Sequence, residues 1–189
     1  MWGILVLLIA LALIGYFVYY SAEDGEDNGM AASKTYSNQT YGVSFEYPPT
    51  YFLEERQMGA TSTGRYYSVI LTEDNETNKA IREGRITNTE GPPAITLDIH
   101  PNQNREFVSK WVTTNIQNSN WNLALGGMAS TTVGGLPAVS YTWDGLYRGD
   151  SAVVATGTNI YMFSATYNSP EDITKRDFPG ILSSVRFLR

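Results

Sequence analysis

The sequence predicts an α+β fold in which a mainly antiparallel β-sheet is covered by helices. Several segments alternate apolar and polar residues with the period of a strand, and the last three follow each other closely with glycine-containing turns between them. Two other segments have apolar residues on one helical face. Because strands joined by hairpins form antiparallel sheets, we expect the helices to pack on the sheet faces rather than to connect parallel strands.

Three strands are predicted in the first half of the chain. They span residues 41–47, 66–72 and 95–99. The first and third alternate apolar with small or polar residues and end at Pro48 and Pro101, where proline interrupts strand hydrogen bonding. The polar, charged stretch 73–91 is expected to be a long loop with one helical turn at most.

The second half begins with a helix and continues with a three-stranded meander. The apolar face of the helix consists of Phe107, Val108, Trp111, Val112 and Ile116. The meander strands are predicted at 136–144, 150–156 and 159–167. A last helix is expected to start at Ser169 as N-cap and Pro170 as first helical residue, and to be interrupted or kinked at Pro179-Gly180.

Composition excludes several classes of function. The chain has 189 residues, no cysteine, one histidine and a formal net charge of -6. Disulfide scaffolds, cysteine zinc sites and thiol catalysis are therefore excluded, and one histidine leaves little material for acid–base chemistry at neutral pH. The acidic balance, without clustered lysine and arginine, argues against a nucleic-acid partner.

Residues 2–20 are predicted to be a transmembrane anchor. They contain no charged residue, and as a helix they would span about 28 Å, close to the ~30 Å hydrocarbon core of a bilayer. The alternative is a cleaved signal peptide. No basic residue precedes the apolar run, and Tyr20 is too bulky for a cleavage site after Ala22. We expect a retained anchor, a cytoplasmic N-terminus and an exported C-terminal domain.

Residues 21–36 are small, polar and acidic, and we expect them to be a flexible linker. A calcium loop at 23–28 is the alternative, but the segment lacks the D-x-D-x-D-G spacing and the final glutamate of such loops. The predicted organisation is therefore an anchor at 1–20, a linker at 21–36 and one globular domain at 37–189.

Short motifs in that domain resemble the PsbP-like proteins. They are YGVSFEYP at 41–48, TVGGLPA at 132–138, the tyrosine-containing meander at 141–167 and ILSSVRF at 181–187. The resemblance implies an α/β/α sandwich around an antiparallel sheet, shared by photosystem extrinsic subunits and a nuclear-import factor. It also implies a protein-binding role without a common catalytic centre. No functional residue of the photosystem subunit can be matched to this chain.

Asp98 and His100 are the one pair that invites a catalytic or metal-binding interpretation. Two positions apart on a strand, they point to the same face, as a dyad or two metal ligands would. They also occupy the polar phase of an amphipathic strand, so a solvated sheet face explains them equally well. Two ligands are too few for a closed zinc site. We therefore predict no catalytic residue and no metal site.

Aromatic residues of the meander offer a second candidate site. Tyr161, Phe163 and Tyr167 share one strand face, and Tyr141 with Trp143 repeats the spacing on a neighbouring strand. They could form a sugar-stacking platform, but packing of the core beneath the helices is the favoured interpretation.

The remaining motifs are weak. No G-x-S-x-G elbow or phosphate-binding glycine loop is present, and the pairs at 126–127 and 134–135 are predicted turns. Asn38 and Asn75 begin glycosylation sequons, which matter only in a glycosylating host. Carboxylates that could converge for glycoside hydrolysis are Glu54, Glu55, Asp98 and Asp144.

The sequence thus favours a non-enzymatic, membrane-anchored protein whose exported domain binds a protein partner, with no cofactor and no nucleic acid. The alternatives are a polysaccharide- or small-ligand-binding module of the cell envelope that uses the tyrosine and tryptophan face, and a hydrolase that uses acidic residues.

Overall fold

The structure is a computed structural model that describes residues 32–59 and 64–188. Ser33–Arg189 form one compact unit. Its strands are β1 Lys34–Asn38, β2 Val43–Tyr47, β3 Tyr51–Met58, β4 Tyr66–Glu73, β5 Ala94–Pro101, β6 Ala129–Val133, β7 Leu136–Asp144, β8 Arg148–Thr156, β9 Asn159–Tyr167 and β10 Arg186–Phe187. Its helices are α1 Glu76–Arg82, α2 Val108–Thr114, α3 Ile116–Ser119 and α4 Ile173–Ser184, with a 3-10 turn at Trp121–Leu123.

The strands form two antiparallel sheets, as the hairpin pattern predicted. The large sheet has seven strands in the order β3-β4-β5-β9-β8-β7-β6, and the small sheet has the order β1-β2-β10. Neighbours in both sheets pair antiparallel. The predicted α+β class with an antiparallel sheet is confirmed.

One face of the large sheet, here called the inner face, packs against the small sheet and α4. Leu97 of β5 pairs with Phe163 of β9, so both side chains point to this face. There they join Phe45 of β2 with Phe178 and Ile181 of α4 in the main hydrophobic core. The strand alternation predicted these inward positions, because period-two apolar residues must all lie on one side of a strand.

The opposite face, here called the outer face, is covered in part by the segment that contains α2. Trp111 and Val112 of α2 pack there against Tyr141, Trp143 and Met162 in a second core. Helices therefore pack against both faces of the large sheet.

Four strands were not predicted, and the shortest of them is the two-residue β10. β1 occupies Lys34–Asn38 and so begins within the range assigned to the linker. β3 and β6 were missed because β3 contains four consecutive polar residues at 54–57 and β6 is Ala-Ser-Thr-Thr-Val, which has one large apolar residue. A seven-residue helix, α1, occupies part of the stretch expected to be loop.

The start of α4 differs from the prediction. The helix begins at Ile173 after Asp172, and not at Pro170. The Asp172 carboxylate accepts the backbone N–H of Asn168 at 2.6 Å and of Ser169 at 3.3 Å. Ser169 and Pro170 therefore belong to a turn that precedes the helix. Pro179 lies inside α4, as expected.

The predicted anchor, most of the linker and the alternative calcium loop at 23–28 lie outside the described residues. Among the residues that the structure describes, no helix is both long enough and apolar enough to span a membrane.

Candidate functional site

Asp98 and His100 do share a face of β5, because the register pairs them with Met162 and Ile160 on the outer face of β9. The expectation that this face is solvated is wrong at His100, which is 6% exposed. The His100 ring stacks on Tyr66 with 4.5 Å between ring centroids, and Trp111 of α2 lies 5.0 Å away at a tilt. Aromatic rings thus cover the only histidine.

The environment of the pair favours the neutral form of both side chains. Burial raises the pKa of Asp98 to about 6, although a hydrogen bond from the Ser68 hydroxyl, 2.5 Å from Oδ1, acts in the opposite direction. Burial lowers the pKa of His100 to about 4. At neutral pH the imidazole is therefore uncharged, and its buried Nε2 has no hydrogen-bond partner in the described part of the chain.

This geometry does not assemble a dyad or a metal centre. A general base must reach a substrate proton, and Tyr66 and Trp111 pack against the imidazole of His100. No group of three or more metal-ligating side chains occurs among residues 32–59 and 64–188. Asp98 and His100 are polar residues of β5 that contact side chains of β4, and His100 also contacts α2.

The aromatic residues proposed as a platform lie on opposite faces of the sheet. Tyr161 and Phe163 belong to the main core on the inner face, whereas Tyr141 and Trp143 belong to the second core on the outer face. All four and Tyr167 are at most 7% exposed. The platform hypothesis is therefore wrong, and the alternative of core packing is confirmed.

The Trp143 side chain makes a hydrogen bond to β8 and occupies the space left by a glycine of that strand. Its indole N–H donates to Ser151 Oγ at 2.9 Å, and Ser151 is in turn hydrogen-bonded to Ser164 Oγ at 2.9 Å. Gly149 leaves room for the indole, since a Cβ at that position would lie 2.3 Å from a ring carbon of Trp143. Sequence reasoning missed this arrangement because it depends on pairing across β7, β8 and β9.

The four candidate carboxylates do not converge. Glu54 pairs with Arg56 at 2.7 Å, and Asp144 with Arg148 at 3.8 Å. Glu55 lies on the inner face, away from Asp98, and accepts the Tyr36 hydroxyl at 2.6 Å. That hydrogen bond is the main cause of the lowered pKa of Glu55. The pairing across the sheet therefore gives no arrangement suited to glycoside hydrolysis.

Both sequon asparagines have local structural roles. Asn75 is the N-cap of α1, and its Oδ1 accepts the backbone N–H of Asn78 at 2.9 Å. Asn38 Oδ1 accepts the backbone N–H of Tyr41 at 3.2 Å. Gly134 and Gly135 form the predicted turn, between β6 and β7, with φ of 55° and 78°.

A polar cleft of about 400 Å³ lies between the start of α1 and the start of α4. Four of the seven polar side chains that line it are hydrogen-bonded within the protein. Asn78 Nδ2 donates to the Glu73 carbonyl at 2.9 Å, and Thr174 Oγ1 donates to the Thr166 carbonyl at 2.7 Å. These contacts fix the two helix starts to the sheet.

The two edges of the large sheet differ in chemistry. The β3 edge carries the charged residues Glu54, Glu55 and Arg56. The β6 edge, at Ala129–Val133, has no charged residue and no proline, and Ser130 and Thr132 are exposed. In the described part of the chain, β6 pairs with β7 on one side, and no strand pairs with its other side. This edge is the exposed feature best suited to binding.

Comparison with solved structures identifies the fold. The chain is similar to cyanobacterial PsbP (CyanoP) from Synechocystis sp. PCC 6803, known from a solution structure, with a TM-score of 0.53 and 13% sequence identity. The match covers 85% of this chain and 95% of that chain. No protein-family model matches the sequence, and no curated protein matches it. The chain thus has the PsbP-like fold that its motifs predicted.

Proposed function

We propose that this protein is a non-enzymatic binding module, anchored in a membrane by residues 2–20, whose PsbP-like domain lies outside the cytoplasm and binds a protein partner by strand addition at β6. The observation that carries the proposal is the uncharged, exposed edge at Ala129–Val133. The likeness to CyanoP supports a binding domain through its fold alone.

An open strand edge offers a row of backbone donors and acceptors to any extended segment, so proteins commonly protect such edges with charge, proline or short length. β3 carries charged residues, whereas β6, which has five residues, carries neither a charge nor a proline. An extended peptide could extend the sheet there through main-chain hydrogen bonds. Exposed Ser130 and Thr132 impose no charge requirement on the partner.

The other two hypotheses lose their supporting residues. A carbohydrate module would need accessible aromatic rings, and those named for it are buried on two faces of the sheet. A hydrolase would need Asp98 and His100 in reach of a substrate, and His100 is packed beneath Trp111 and Tyr66. Neither function has a specific observation in its favour.

Photo-crosslinking from the β6 edge tests the proposal. The chain contains no cysteine, so Thr132→Cys creates a single attachment point for a benzophenone label in the full-length protein. In native membranes we expect one protein to be crosslinked stoichiometrically from position 132. The matched control is Thr158→Cys, an exposed position in the β8–β9 turn.

Two results would contradict the proposal. One is the absence of any protein adduct from position 132, and the other is the same set of adducts from 132 and 158. Ser130→Lys combined with Thr132→Cys supplies a further check, because a charge on the edge should weaken crosslinking of the partner at least tenfold if strand addition is the binding mode.

A further inference from the structure

Three exposed leucines lie at or beside the turn between β7 and β8, and they are here called the leucine patch. Leu123, Leu125 and Leu146 are 39%, 54% and 71% exposed. Leu146 lies in the turn between β7 and β8. Leu123 Cδ1 lies 3.3 Å from the position of a Cβ on Gly145, next to Leu146, and the Leu125 backbone N–H donates to the Thr142 carbonyl at 2.8 Å. The patch therefore belongs to one end of the β7–β8 hairpin.

The polypeptide enters the domain at the same end of the large sheet. The first residue of β1, Lys34, pairs with the last residue of β2, Tyr47, and only three residues separate Tyr47 from the start of β3. Neighbouring strands of the large sheet are antiparallel. One end of the sheet therefore contains the starts of β3, β5 and β8 and the ends of β4 and β9. The turn that carries Leu146 lies at that end.

The length of chain before β1 limits the distance between this end and the proposed anchor. Thirteen residues, 21–33, connect Tyr20 with Lys34. A chain of that length spans roughly 20 Å on average and at most about 45 Å. If residues 2–20 cross a bilayer, the sheet end with the leucine patch is therefore held within reach of the same bilayer.

Charges beside the patch do not oppose such a contact. Asp144 and Arg148 flank the β7–β8 turn and pair with each other at 3.8 Å. Their charges sum to zero, so approach to lipid headgroups costs little repulsion despite the net charge of -6 for the whole chain. Leu146 is the most exposed of the three patch residues, and it is held on a two-stranded hairpin rather than on a long loop.

We propose that the leucine patch is a membrane-contact surface that inserts into the interfacial region of the bilayer that anchors the chain. This inference rests on the anchoring part of the proposed function. Apolar side chains on a turn gain free energy when they leave water for the acyl boundary. The contact would orient the domain and leave the β6 edge available to a protein partner.

Site-specific fluorescence in vesicles tests the inference. The full chain with Leu146→Cys, labelled with an environment-sensitive fluorophore, is reconstituted into phosphatidylcholine vesicles with or without spin-labelled lipid. We expect a blue-shifted emission and severalfold stronger quenching by the spin-labelled lipid than for Thr158→Cys, whose turn lies at the opposite end of β8. Leu125→Cys provides a second patch position if Leu146→Cys disturbs the turn.

The outcomes separate the inference from the proposal on which it rests. Extraction of the chain from vesicles by alkaline carbonate would show that the anchor fails. Retention of the chain with equal, weak quenching at 146, 125 and 158 would overturn the inference while leaving the anchor intact. Shielding of position 146 only in native membranes, with a crosslinked protein, would assign the patch to a protein partner and would also overturn it.

Discussion

On the outer face of β5, Asp98 and His100 have pKa shifts in opposite directions for the same physical reason. Burial disfavours the charged form of each group, which raises the pKa of the carboxyl to about 6 and lowers the pKa of the imidazole to about 4. Their contributions to stability therefore change with pH in opposite senses. Substitution of one residue at a time should reveal effects that largely cancel in the native protein.

The His100 contribution is expected to be lost in acid. The folded-state pKa lies below the unfolded value of 6.5, so the unfolded chain binds a proton first as the pH falls. Stability from the neutral imidazole is present above pH 6.5 and declines as the pH falls through about 4, by about 3 kcal/mol in all. Urea unfolding of detergent-solubilised native protein and of His100→Phe should therefore diverge between pH 7 and pH 4. Parallel pH profiles would disprove the assignment.

The Asp98 contribution has the opposite sign. Its folded-state pKa lies above the unfolded value of 3.8, so the stability contributed by the protonated carboxyl is fully present below that pH and is lost as the pH rises through about 6. Asp98→Asn should thus gain about 3 kcal/mol relative to the native protein between pH 3 and pH 7. The same unfolding assay measures it, and a difference that does not change with pH would contradict the prediction.

Gly149→Ala should be strongly destabilising because the added methyl group would meet the Trp143 indole at 2.3 Å. Displacement of the indole would also break its hydrogen bond to Ser151. We expect a loss of about 2–4 kcal/mol in the free energy of unfolding. The control is Gly180→Ala in α4, where no atom lies within 4 Å of the added Cβ, and a gain of about 0.5–1 kcal/mol is expected. Equal effects of the two substitutions would argue against the packing.

At the scale of elements, the strands that bury one face were predictable and the edge strands were not. β5 alternates Ile95, Leu97 and Ile99 with polar residues, so its period was visible in the sequence. β3 and β6 occupy the two edges of the large sheet, where less side-chain burial is required and the apolar period is weak. The burial of His100 could not be predicted for a different reason. It depends on Trp111, which approaches from a helix that follows β5 in the chain.

The α1 helix depends on its cap more than on its apolar residues. It has seven residues, and Asn75 accepts the Asn78 backbone N–H at 2.9 Å. Asn75→Ala should lower the free energy of unfolding by about 1 kcal/mol. Thr77→Ala removes the same glycosylation sequon and keeps the cap, so thermal unfolding of the two variants separates the effects. An equal shift in Tm for both would contradict the capping role.

At the scale of the molecule, contacts far apart in sequence hold the two sheets together. The Tyr161 hydroxyl donates to the Tyr41 carbonyl at 2.6 Å, and the Tyr161 ring meets Phe187 of β10 edge to face, with 5.1 Å between centroids. Phe187 also packs over the turn at Gly134. The PsbP-like motifs at both ends of the domain predicted this fold, although they did not reveal that the first and last strands share one small sheet.

Phe187→Ala should loosen the small sheet selectively. Removal of the ring takes away its contacts with Tyr161 and Gly134, and a loss of about 2–3 kcal/mol is expected. Hydrogen exchange should accelerate in β1 and β2 more than in β8 and β9. Phe107→Ala is the matched control, since Phe107 is 84% exposed and should change neither rate. Uniform acceleration in all four strands would show that the small sheet does not open separately.

The position of β10 also determines when the domain can be completed. Its two residues, Arg186 and Phe187, pair with Ser44 and Val43, which are synthesised more than a hundred residues earlier. The buried residue just before β10, Val185, closes the main core. The main core therefore stays open until residues 185–187 of the nascent chain have left the ribosome.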